Sequence, residues 1–194
     1  MPPIKRFTKE EIIDTTFEIV KKEGFQGVNA RRIGKTLGCS VQPIFHTCKS
    51  MEELKKEVYK KIHDLYKEYM LKNKSGEKIY KQQGLSYIKF ASDYPEFFKI
   101  LFMQPSHLGA KEFIVADSTS DEIIKAGQKL TGFSYEEQKK FHVRVWIFTH
   151  GLACLVVNNT ITLKEKEIET LLEDSVRQMI IGYKKEGEKN EKNN

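Results

Sequence analysis

Arg31 and Arg32 stand side by side, and ten residues further on begins a group of Val41, Gln42, Phe45, His46 and Lys49. Guanidinium and ammonium groups pair with phosphate oxygens. Glutamine and small apolar or aromatic side chains suit the edges of bases. The stretch between them, within Ala30 to Thr47 (ARRIGKTLGCSVQPIFHT), reads as the scaffold that would present these groups. Gly38 supplies the left-handed backbone that a tight turn between two short helices requires. Gly34 lies four residues earlier, where a steep crossing wants a small side chain. A glycine inside a helix costs about 1 kcal/mol against alanine, so close packing is expected to offset it. Ile33, Leu37, Cys39 and Ile44 then fall on the buried side. Asn29 is expected to cap the first helix. Ser40 is expected to cap the second, from Val41 to about Cys48, through Gln42, because Pro43 has no N–H to offer. The candidate nucleic-acid contacts are therefore Asn29, Arg31, Arg32, Ser40, Val41, Gln42, Pro43, Phe45, His46, Thr47 and Lys49.

The charge distribution agrees. The chain of 194 residues carries a net charge of +6. Residues 1–49 hold nine Lys or Arg against five acids, so most of the excess lies in a quarter of the chain. Such a balance favours phosphate-bearing partners. The plain alternative is a helical turn with a solvated basic face.

Other chemistries lack the residues they need. The five histidines (His46, His63, His107, His142, His150) form no HExxH and no acidic cluster, so no metal is expected. There is no G-x-S-x-G, P-loop or G-x-G-x-x-G, so no catalytic residue, cofactor or enzymatic reaction is expected. The three cysteines are an odd number without a CxxC pair, which excludes a disulfide framework. Cys39 and Cys48 bracket the second short helix, either as small apolar residues or as a thiol switch. The amino terminus has no signal-peptide core. The longest apolar run, Val145 to Val157, is 13 residues, where a membrane span takes about 20. The expected location is the cytoplasm.

The elements that must carry this segment are helical throughout. Ile12, Ile13, Thr16, Phe17 and Val20 form one stripe at helical spacing. Leu54, Val58, Ile62, Leu65, Tyr66 and Tyr69 form another, and Ile168, Leu171, Leu172, Val176, Met179, Ile180 and Tyr183 form a very regular third. Boundary residues divide an all-α chain into about nine helices. Thr8 with Glu11 opens the first and Gly24 closes it. Gly38 closes the second, and Ser50 with Glu53 opens a fourth that runs to about Leu71. A fifth runs from Gly76 to Asp93, Pro95 opens a sixth through Phe102, and a seventh runs from Ser118 to Leu130. Ser134 with Glu137 opens an eighth to Val157, and a ninth ends near Gly187. Pro105 to Ala116 is the least regular part. The expected division is residues 1–50 as a helix-turn-helix head, 51–187 as a helical body and 188–194 as a disordered polar tail.

The order of motifs around the turn resembles the tetracycline-repressor (TetR) family. An amino-terminal helix leads to G-F-x-G-V at Gly24–Val28. I-G-x-x-L-G-x-S follows at Ile33–Ser40, then a short helix and the start of a long one. Phe90-Ala91 followed by Pro95-Glu96-Phe97-Phe98 resembles that family's junction of fifth and sixth helices. The WIFTHG segment, Trp146 to Gly151, resembles a W-x-x-x-H-G pattern of one subgroup. The resemblance implies a DNA-binding regulator, a repressor released from a palindromic operator by a small-molecule effector, and a homodimer through the last two helices. The implied dimer residues are Leu152, Val156, Ile168, Leu172, Val176, Met179, Ile180 and Tyr183. The implied effector pocket draws on Tyr87, Phe90, Phe98, Met103, Phe113, Trp146, His150 and Cys154.

Four positions depart from the family pattern. Phe45 stands where a phosphate-touching tyrosine is usual and Met51 where a lysine is usual. Cys48 replaces an aromatic and Gly34 an alanine. Losing phosphate contacts weakens binding to every sequence and flattens its salt dependence by about one unit per contact. Lys49, Lys55 and Lys56 are the nearby cations that could take their place. The alternative reading is a helical ligand-binding or protein-interaction protein whose head binds DNA weakly.

Overall fold

The computed structural model describes residues 7–72, 79–104 and 121–192, side chains excepted at 79 and 186–192. Nine α-helices and no strand occur among the described residues: α1 (Lys9–Glu23), α2 (Ala30–Leu37), α3 (Gln42–Thr47), α4 (Met51–Lys72), α5 (Ile79–Asp93), α6 (Pro95–Phe98), α7 (Asp121–Thr131), α8 (Tyr135–Val157) and α9 (Glu165–Lys192). A 3-10 turn, Phe25–Gly27, joins α1 to α2, and α6 runs on as a π-type turn over Lys99–Met103. The expected starts at Gly76 and Ser118, the irregular stretch Pro105–Ala116 and pocket residue Phe113 lie outside the described residues.

The ends form where local hydrogen bonding demands. Thr8 and Ser134 each make a reciprocal capping box with the glutamate three residues on, Glu11 and Glu137. Asn29 Oδ1 accepts from the Arg32 N–H at 2.9 Å, and Ser50 Oγ accepts from Glu53 N at 3.1 Å. Two ends differ from the sequence expectation. The residue capping α3 is Val41, with no side-chain bond, so Ser40 is not its cap and the helix is shorter than Val41–Cys48. Pro43 is the reason. It occupies the second helical position, where a donor would otherwise need a cap. At the other end of the chain, α9 continues past Gly187 to Lys192. Glu and Lys are good helix formers, and one glycine costs only about 1 kcal/mol.

The chain divides into two compact units. The first comprises residues 7–69 and 93–104 among those described, so the helix-turn-helix belongs to a packing unit larger than residues 1–50. Its core holds Ile12, Val20, Ile33, Ile44, Leu54, Val58 and Ile62, each at most 1% exposed. α1 packs on α2 and on α6, where the Phe17 and Phe97 rings lie 4.7 Å apart. Lys9 Nζ reaches Glu57 at 2.7 Å and Glu53 at 3.3 Å, tying α1 to α4. These groups are largely in water, so the pairs orient the helices more than they stabilise them.

The second unit holds α5 up to Ser92, together with α7, α8 and α9. Its centre is Tyr80, Ile123, Phe141 and Val145, with Val176, Met179, Ile180 and Tyr183 of α9 packed against it. α8 is 23 residues long and apolar enough on average to span a membrane by length and composition. It also buries polar Gln138, His142 and Thr149 among its core positions. Gln138 is completely buried, and its Oε1 accepts from Thr131 Oγ1 at 2.7 Å. The Gln138 amide lies against Gly127 of α7. A Cβ there would come 2.7 Å from Gln138 Cδ and 3.0 Å from a Tyr80 ring carbon.

Gly127→Ala gains about 1 kcal/mol of helix propensity, but the methyl must displace a buried amide and a buried ring, which costs about 1–3 kcal/mol. The expected outcome in urea denaturation is a net loss of about 1 kcal/mol, with an unchanged slope against denaturant.

Candidate nucleic-acid interface

The turn between α2 and α3 rests on two glycines. Gly38 has φ 71° and ψ 34°, the left-handed conformation, and the next N–H, of Cys39, donates to Gly34 O at 2.9 Å. Gly34 matters for a different neighbour from the one its spacing suggests. A Cβ on it would sit 2.8 Å from the carbonyl oxygen of Cys39 and 3.3 Å from that of Ser40. The turn's own backbone, folding back over α2, claims the space.

Two buried side chains then set the rotation of α3. Ile44 and Cys48 are each 1% exposed, and Cys48 N donates to Ile44 O at 2.8 Å. Burial holds the Cys48 thiol above its usual range, so it stays protonated. With that side inward, Ser40, Val41, Gln42, Phe45, His46 and Lys49 are exposed, and the Phe45 ring is 49% accessible. Phe45 and Val41 together give this side two exposed apolar side chains among polar ones.

Three of the remaining members of the candidate set bond within the protein. Asn29 caps α2, and the Arg32 guanidinium pairs with Glu23 at the end of α1. Thr47 is half-buried and its hydroxyl donates to Pro43 O at 3.0 Å. Pro43 is half-buried as well, while Arg31 is exposed. Leu37 and Cys39, expected inside, are half-buried. Of the cations near the start of α4, Lys55 lies 3.3 Å from Glu52, Lys49 and Lys56 are exposed, and Met51 is half-buried.

The pocket residues expected from the sequence are divided between the units. Phe98 is buried in the first unit, where Met103 is exposed at 39%. Phe90 is buried on α5. Tyr87, Trp146, His150 and Cys154 come together between α5 and α8. Tyr87 Oη lies 3.0 Å from His150 Nδ1, Cys154 Sγ lies 3.4 Å from Nε2, and the Trp146 ring stacks on the imidazole at 4.9 Å. Burial holds the His150 imidazole below its ordinary 6.5 and the Cys154 thiol above its ordinary value.

Of the residues expected at a dimer interface, Leu152 and Leu172 are buried within the subunit. Val156, Ile168, Val176, Met179, Ile180 and Tyr183 are half-buried. The exposed apolar residues of the same helices are others. Val143, Ile147 and Leu155 line the outer side of α8 with Gly151, and Leu171 and Ile181 do so on α9. Periodicity places Leu171 in the stripe of α9, but it misses Val143, Ile147 and Leu155 because α8 is apolar on two sides. The i, i+4 run 143–147–151–155 was the available signal, with glycine in it leaving space open to solvent.

No family model matches the chain, and no curated protein matches it. Solved structures do, at low identity. A TetR-like transcriptional regulator from Rhodococcus sp. RHA1 superposes with a TM-score of 0.63 at 14% identity, over 93% of this chain and 100% of that one. A TetR family transcription regulator from Marinobacter aquaeolei VT8 gives 0.56 at 13%, over 87% and 93%. The fatty acid degradation regulator FadR from Bacillus halodurans gives 0.55 at 14%, over 92% and 97%. The fold of this chain is therefore the TetR-like fold.

The imidazole of His150 sets a pH limit on the second unit. Its folded value lies below the unfolded one, so protons bind the unfolded chain first as pH falls below about 6.5. The carboxyls of Glu57, Glu137 and Asp121 are held low by hydrogen bonds from Lys9, Ser134 and Lys125, and they titrate beneath that window. Stability in urea is expected to be full at pH 7.5, to decline towards pH 5, and to decline less in His150→Gln.

Proposed function

We propose that the protein is a homodimeric DNA-binding transcriptional regulator of the TetR type, a repressor that leaves a palindromic operator when a small molecule binds its second unit. The observation that carries this reading is the outer side of α3 and its flanks, which expose Val41, Gln42, Phe45, His46 and Lys49, with Arg31 exposed at the start of α2. Gln42 has the geometry to pair with adenine N6 and N7 in the major groove, and Val41 and Phe45 suit a thymine methyl. The flanking cations serve phosphate. The net positive charge of residues 1–49 supports the same partner. The likeness to solved regulators supports the architecture that such a head needs. The reading places the protein in the cytoplasm with the DNA and gives it no reaction of its own.

A dimer follows from the exposed apolar residues of α8 and α9. Ile147 is 59% exposed at the middle of the α8 run, and the neighbouring Gly151 would let a second helix approach closely. Two copies of α3 about 34–36 Å apart would meet successive major grooves on one side of the duplex. α4 is one unbroken helix whose last residues, from Met70, belong to the second unit, and it is the path by which an effector could alter that spacing. The size of the response is bounded by the effector's preference between the two spacings.

Phe45 and Met51 favour a second reading, a ligand-binding protein with a weak DNA grip. Binding to a mixed-sequence duplex, measured against salt, separates the two. On the regulator reading, the affinity falls steeply with salt. Met51→Lys strengthens binding to all sequences and steepens the log–log slope by about 0.9. Gln42→Ala instead relaxes preference at one base pair, by about 1–3 kcal/mol. Salt-independent or absent binding refutes the regulator reading. For the dimer, Ile147→Glu is expected to give monomers in sedimentation velocity and, through lost bivalency, to weaken operator binding by about 100-fold or more.

A further inference from the structure

The second unit contains a cavity of about 390 Å³ between α5, the end of α7, α8 and α9, and none of the aromatics expected to form an effector pocket lines it. Volumes of this size suit small organic ligands. Its floor is Gly84 of α5. A Cβ there would meet Leu172 at 3.7 Å and Thr149 at 3.9 Å, ordinary van der Waals contacts, so a side chain could start at this position without displacing a neighbour. Val145 and Thr149 of α8 and Leu172, Val176 and Ile180 of α9 form the walls. Thr149 directs its hydroxyl to Val145 O at 2.8 Å, on its own helix.

Tyr80 closes one side. Its hydroxyl lies 3.2 Å from His142 Nδ1 and its ring meets the imidazole edge-on, so the phenol's polar end is engaged within the protein. Desolvation holds this phenol above its ordinary range and therefore neutral. The charged residues of the lining are Lys81, Glu173 and Arg177. Lys81 is paired with both Glu169 and Glu173, and Arg177 with Asp174. An anionic head group would have to compete with carboxylates already in place, and a cationic one would find them taken.

We infer that this cavity between α5, α7, α8 and α9 binds one uncharged, predominantly hydrocarbon small molecule per subunit. Apolar walls give it affinity through burial, and the compensated charges select against ionic ligands. Its role as an effector rests on the regulator reading. The binding itself does not, and it is measured without DNA.

The test titrates the full chain with N-phenyl-1-naphthylamine, a neutral apolar dye, and competes it with 1-decanol, decanoate and decylammonium. Saturable binding at one dye per subunit is expected, displaced by decanol and about tenfold less readily by either ion. Gly84→Leu fills the floor. It is expected to raise the melting temperature and to weaken dye binding about tenfold or more. Val176→Phe fills the cavity from α9 and serves if the first variant does not fold. Absent saturable binding, undiminished binding in a folded filled variant, or equal displacement by decanoate overturns the inference. Dye binding lost on subunit association also overturns it, because the occupant is then a second copy of the chain. Decanol added to an operator complex reads the effector role separately, so a protein that binds decanol but not DNA refutes the regulator reading alone.

Discussion

A six-residue helix cannot hold itself together in water, because closing its first turn costs more than its few hydrogen bonds return. α3 exists because Ile44 and Cys48 are pressed into the first unit and because Gly38 turns the chain so that they can be. The same two anchors leave the helix one rotation about its axis. Val41, Gln42, Phe45 and His46 face water as a consequence of what is buried on the other side. The exposed side of α3 and the stability of the first unit are therefore one packing problem. A change at Ile44 or Gly34 would alter the exposed residues without touching them.

The second unit answers a different demand. α8 is apolar enough that its outer side cannot be told from its inner side by hydropathy, and the unit marks the inner side with polar residues. Gln138 bonds Thr131, Tyr80 meets His142, and Thr149 bonds its own helix. Buried polar groups of this kind carry a heavy penalty when misplaced, so they set which way the helix is turned. Glycines make room on both sides of this arrangement. Gly127 admits the Gln138 amide, and Gly84 leaves the cavity. The outer side of α8 keeps Val143, Ile147 and Leu155 exposed, a surface better suited to another protein than to water.

The two units also differ in how they use charge. In the first unit, Arg32 and Lys9 are engaged by Glu23, Glu53 and Glu57, while Arg31 at the start of α2 and Lys49 just after α3 are exposed. Around the cavity the ion pairs cancel locally. A partner drawn by long-range attraction suits the first surface, and one held by burial suits the second.

The amino-acid sequence by itself determined most of the described helix ends. Thr8–Glu11, Asn29, Ser50, Ser134–Glu137, Gly24, Gly38 and Pro95 all stand where the residue types place them. Capping is settled within three or four residues by the backbone groups that a helix end leaves unpaired. The all-α class and the exposed set on α3 follow from the same local rules and from period. Tertiary structure alone decided the rest: that Val41 rather than Ser40 precedes α3, that Gly34 makes room for a carbonyl of the turn, and that Leu152 and Leu172 face inward while Ile147 and Ile181 face out. It also decided that the cavity is lined by Gly84, Val145 and Leu172 rather than by the expected aromatics. Each of these depends on which distant segment arrives at a given side of a helix, and no spacing along one helix records that.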